Sequence, residues 1–213
     1  LIIGGSILGF LIFLIPPLYG EGFATINELL AGNYQEIFNG SILYEYRENI
    51  LVAISLLFVM MLFKAVATSV TFGAGGIGGI FAPSLFLGAT AGFVFAKAIN
   101  YFNFFHVSEK NFILVGMAGI LAGVLHAPLT ALFLIAEITA SYDLIIPLMV
   151  TAAISFLTAK YFVPHSLYTM QLAKRGELIT HDKDKAVLTL MKLSSEIETE
   201  FKVIHPEDSL GQL

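Results

Sequence analysis

Five long apolar stretches organise the sequence: Leu1–Tyr19, Ile50–Val70, Ile80–Ile99, Phe112–Thr139 and Leu144–Val163. A helix crossing a bilayer needs roughly 20 apolar residues. The first, second, third and fifth stretches have that length and predict spanning helices. The fourth is interrupted by Leu121-Ala-Gly-Val-Leu-His-Ala-Pro128 and predicts two short helices, 111–125 and 129–140. Helices too short to cross leave free backbone ends at membrane depth. Such ends are tolerated only in protein or beside a watery cavity, and paired broken helices mark transporters with sites near the midplane. A kinked structural helix is the competing explanation for this segment.

Composition locates the membrane part. The chain has 213 residues, 57% hydrophobic and 13% charged, with mean hydropathy +0.83. A soluble domain is about 45–50% apolar and about 25% charged. Residues 1–173 carry 13 charged side chains and residues 174–213 carry 14. The expected division is therefore a membrane domain over 1–175 and an aqueous linker over 176–213. No cysteine is present, which removes disulfides and thiolate metal sites. The sequence opens inside an apolar run, so the natural protein is expected to begin upstream. The loop Glu21–Asn49 holds five Glu and one Arg, whereas Lys174 and Arg175 follow the last apolar stretch. By the positive-inside rule the C-terminus is cytoplasmic and the loop external.

The segment from Phe72 to Gly92 is richest in chemistry. Gly73, Gly75, Gly76, Gly78 and Gly79 lie between two apolar helices, with Pro83 shortly after. Glycine lets backbone approach a ligand closely, and proline suits the first turn of a helix. The N–H groups of Ile80 and Phe81 are then expected to be free at a helix N-terminus, where the macrodipole favours an anion. A lysine would hold a halide too tightly to let it leave, and conduction requires weak binding. Small residues also permit tight helix packing, and that is the preferred explanation for Gly88-Ala-Thr-Ala-Gly92. For Gly78–Pro83 the anion reading is preferred, because packing alone does not call for proline after a glycine run.

Gly73-Ala-Gly-Gly-Ile-Gly78 also matches the dinucleotide fingerprint GxGxxG. That motif needs a preceding strand and an acidic residue about 20 positions on. Here an apolar helix precedes it and Lys97 stands near the required place, so the match is set aside.

Gly79-Ile-Phe-Ala-Pro83 resembles the GxFxP motif of the CLC chloride channel and transporter family. Gly20-Glu-Gly-Phe23, Lys64, Gly116-Met-Ala-Gly119, Ala127-Pro-Leu-Thr130, Glu137-Ile-Thr139 and Ser166-Leu-Tyr168 follow in the family's order over about residues 1–175. The resemblance implies an all-α membrane protein of tilted and broken helices, the second half of an inverted-repeat CLC fold. It implies chloride channel or H+/Cl− antiporter activity. A central chloride would be held by the Ile80 and Phe81 amides and the Tyr168 hydroxyl, with Gly78, Gly79, Ala82 and Pro83 as supporting loop. By itself Tyr168 reads as an interfacial anchor. The family's Gly-Ser-Gly-x-Pro motif, gating glutamate and internal proton-coupling glutamate do not occur in this sequence. The resemblance also implies a homodimer with one pore per subunit, joined through the helices near 129–140 and 144–163. The tail from Phe201 is similar to the opening strand of a CBS domain, which would bring an adenine nucleotide as partner. No cofactor beyond transported chloride, no metal and no nucleic acid is expected.

Glu137 lies near the end of an apolar helix and reads as a capping or structural group ahead of a functional one. Lys64 is expected to snorkel to an interface. His126 stands at the helix break without a second ligand at metal spacing, and His106, His165, His181 and His205 form no cluster. An intramembrane hydrolase would need a nucleophile–base pair or HExxH; no HExxH occurs. A non-transporting structural or regulatory subunit is the third alternative.

Overall fold

The computed structural model describes residues 2–40, 44–103, 106–140 and 142–175. These form eight α-helices: α1 (Ile2–Leu14), α2 (Phe23–Ala31), α3 (Ile50–Gly73), α4 (Phe81–Tyr101), α5 (Glu109–Leu125), α6 (Pro128–Thr139), α7 (Ile145–Phe162) and α8 (Met170–Arg175). Short 3-10 turns cover Pro16–Leu18, Tyr34–Phe38 and Tyr44–Tyr46. The described residues contain no strand. The chain divides into two units, Leu1–Leu167 and Tyr168–Leu213. The expected linker 176–213, with the CBS-like run from Phe201, lies outside the described residues.

Among the described residues, α3, α4 and α7 are long and apolar enough to cross a membrane. With the apolar exterior described below, they make the chain an integral, multi-pass, all-α membrane protein. The first apolar stretch behaves differently from expectation. Helix α1 has 13 residues, a rise of about 20 Å, and stops before Pro16-Pro17. A residue preceding proline is pushed out of the helical region, and Ile15 has φ −132° and ψ 80°.

Local chemistry sets the other boundaries. Asn49 caps α3, its side chain accepting from the Leu51 and Val52 amides at 3.0 and 3.4 Å. Ser108 caps α5 by accepting from Asn111 N–H. Helix α5 ends at His126, which is left-handed at φ 56°, and α6 restarts on Pro128. The interrupted stretch is thus two helices, as expected. Its polar break residue, His126, meets the Phe156 ring edge-on at 5.8 Å.

The core of the first unit gathers Phe38, Leu57, Met60, Phe86, Phe93, Ile113, Leu121, Ile135 and Leu148. Helices α4 and α5 share the most extensive helix–helix contact, and α5 also packs on α7. Glycine permits both contacts. A Cβ on Gly88 would lie 2.5 Å from Gly116 O, and one on Gly92 would lie 2.0 Å from Phe112 O. The Gly88–Gly92 pentad is a packing stripe. About one turn further along α5, Ser155 Oγ donates to Gly119 O at 2.6 Å, an interhelical bond of the kind that replaces the hydrophobic effect within lipid. Other helical hydroxyls (Ser55, Thr68, Ser69, Thr71, Thr90) donate one turn back to their own helix. No described buried side-chain nitrogen or oxygen lacks a partner, as a medium without water requires.

Candidate functional site

Helix α3 unwinds through its glycines. The Ala74 amide donates to Val70 O, Gly75 (φ 83°) to Phe72 O and Gly76 to Thr71 O. At Gly75 the left-handed conformation suits glycine. A short non-helical run then reaches Ile80, whose carbonyl accepts both the amide of Ser84 at 3.0 Å and its hydroxyl at 2.6 Å. These two bonds fasten the first turn of α4. They also commit the Ser84 hydroxyl, so it is not free to serve a ligand. No side chain caps α4, and Pro83 has no N–H. The amides of Ile80, Phe81 and Ala82 therefore donate to no acceptor among the described residues. This is the free helix N-terminus expected from the sequence, preceded by a helix instead of the strand that GxGxxG requires.

The turn borders a cavity of about 590 Å3. Gly78, Gly79, Phe81, Ala82 and Pro83 form one wall, Leu8 and Ile12 of α1 another, and Tyr19, Gly20 and Glu21 a third. Helix α3 contributes Lys64, Thr68 and Thr71. Ile80 caps α4 but is not among the lining residues. All lining residues belong to the Leu1–Leu167 unit. Tyr168 opens the second unit, and its side chain is exposed.

Lys64 departs from expectation. It does not snorkel: the residue is 2% exposed. Its Nζ donates to Leu18 O at 3.0 Å and Gly20 O at 2.7 Å, and lies 5.1 Å from the centre of the Phe86 ring. The Leu18 and Gly20 carbonyls reach it, and bonding them satisfies donor and acceptors alike. The same ring leaves no room at Gly22, where a Cβ would lie 2.5 Å from Phe86 Cδ2 at φ 91°. Sequence reasoning missed this junction, together with Tyr19, Glu21, Thr68 and Thr71 on the cavity wall. The signal for Lys64 was present, since a charge inside an apolar helix marks function by default. Its partners carry no signal, because they are main-chain carbonyls 44 and 46 residues away.

Glu137 is exposed, and its main-chain carbonyl accepts the Ala140 amide that ends α6. No group of three potential metal ligands occurs among the described residues. His181 and His205 lie outside them.

A family model described as voltage gated chloride channel matches residues 1–160. The H(+)/Cl(-) exchange transporter ClcA of Vibrio parahaemolyticus serotype O3:K6 is 31% identical over 169 residues, 79% of this chain and 32% of that protein. The chain thus spans about a third of that relative's length. With the family model covering most of the sequence, and the helices and glycine turn ordered as the motifs anticipated, the chain belongs to the voltage-gated chloride channel family.

Proposed function

We propose that this chain is the C-terminal half of a membrane domain that carries chloride across a bilayer. The carrying observation is the uncapped start of α4, with unpaired Ile80, Phe81 and Ala82 amides and a glycine turn bordering the cavity. Peptide dipoles attract an anion there without the strong grip of a contacting basic side chain. The Ile80 and Phe81 amides and the Tyr168 hydroxyl hold the ion, and Gly78, Gly79, Ala82 and Pro83 shape the approach. Similarity to a protein named as an H+/Cl− exchanger favours proton-coupled antiport over a channel. The protein is not an enzyme on this reading. It is a homodimer with one pore per subunit, paired through α6 and α7. Its C-terminus is cytoplasmic, with 1–175 as membrane domain and 176–213 as linker and start of a nucleotide-binding CBS domain.

Flux from proteoliposomes containing the full-length protein tests this. Chloride efflux accompanied by proton movement supports antiport, chloride movement alone supports a channel, and no flux from a folded dimer defeats transport. Phe81→Pro deletes one amide donor, and calorimetry on the folded variant should show weakened chloride binding.

A further inference from the structure

We propose that Lys64 is a positioning residue whose buried ammonium raises anion affinity in the cavity without touching the ion. The inference rests on the anion reading above.

Lys64 contributes to the cavity wall, yet is 2% exposed. Its described partners are the carbonyls of Leu18 and Gly20 and the face of Phe86. All three favour a cation, and none carries a negative charge. Glu21 lines the same cavity, but the ion pairs among the described residues are Arg47–Glu48 and Lys97–Glu109. No carboxylate among the described residues lies within ion-pairing distance of the Lys64 ammonium.

A purely structural staple would not need this residue type. A neutral amide donor would satisfy a carbonyl without the cost of carrying a charge out of water. That cost is offset when an anion shares the cavity. The way the ammonium is held matters as well. A contacting ammonium would trap a halide, whereas one held by carbonyls raises the potential and leaves the ion's ligands as exchangeable amides. A unit charge roughly 10 Å from an anion, at an effective dielectric of about 20, changes affinity about tenfold.

The test is chloride calorimetry on the full-length purified protein with Lys64→Arg, Lys64→Gln and Lys64→His, each checked for fold by circular dichroism and gel filtration. Arg should bind like the parent and Gln about tenfold more weakly. The His variant should bind chloride several-fold more tightly at about pH 5 than at about pH 8, as the imidazole gains its proton, beyond any change the parent shows. A bonding role alone would not produce that pH profile. Should Gln fail to fold, the His ratio from one sample carries the test. A folded Gln variant with parental affinity, an Arg variant as weak as Gln, or a His variant with the parent's pH profile overturns the role of Lys64. A parent protein that binds no chloride overturns the anion site itself.

Discussion

Gly22 shows how one side chain can be excluded by a neighbour distant in sequence. It combines φ 91° with a Phe86 ring that an added Cβ would meet at 2.5 Å. Gly22→Ala should therefore cost about 2 kcal/mol, from left-handed strain plus overpacking, read as a lowered melting temperature in detergent. Asn49 is a simpler case, since its Oδ1 accepts from two amides that start α3. Asn49→Ala should cost about 1 kcal/mol by the same measurement. Tyr168→Phe removes only a hydroxyl from an exposed side chain, so the fold should persist. Calorimetry should then show weaker halide binding if that hydroxyl is a ligand; unchanged binding would remove Tyr168 from the site.

Helices meet here according to which faces carry glycine. Gly88 and Gly92 on α4 oppose Gly116 and the Phe112 carbonyl on α5. Helix α5 thus packs backbone to backbone on α4 through Phe112 and Gly116, and accepts Ser155 of α7 at Gly119, further along the same helix. At the far end of the α4–α5 pair, Lys97 Nζ and Glu109 Oε1 lie 2.7 Å apart and partly buried, with the Tyr34 ring 4.7 Å from the ammonium. Gly92→Ala should cost about 3 kcal/mol, because the obstacle is main chain and cannot rotate aside. Glu109→Gln should cost about 1 kcal/mol. A thermal scan that ranks Glu109→Gln as the more damaging change would mean that the ion pair, not the glycine contact, holds these helices together. The pairing of α4 with α5 was legible in part: the small-residue pentad marked a packing face, but nothing in it named the partner.

Among the described residues, many large apolar side chains face outward. Phe133 and Ile138 on α6 and Ile146, Ile154, Leu157 and Tyr161 on α7 are more than half exposed. Lipid or a second subunit must cover such a surface. The chain contains no cysteine, so Leu157→Cys can be examined in a cysteine-free version of the full-length protein. A short bifunctional maleimide should link two copies through Leu157→Cys if α7 forms the dimer contact. Phe13→Cys on α1, also apolar and exposed, serves as the control outside the proposed interface and should stay monomeric on denaturing gels. Equal linkage at both positions would reject the α6–α7 interface. Three of the four expected spanning helices, the break at His126–Pro128 and the free amides before Pro83 were determined by the sequence alone. Apolar run length, proline geometry and helix-end hydrogen bonding are all local rules. Only the tertiary structure decided that Lys64 turns inward to the Leu18 and Gly20 carbonyls, and that each glycine face has its particular partner. Those choices depend on distance through space between residues far apart in the chain, which no local pattern encodes.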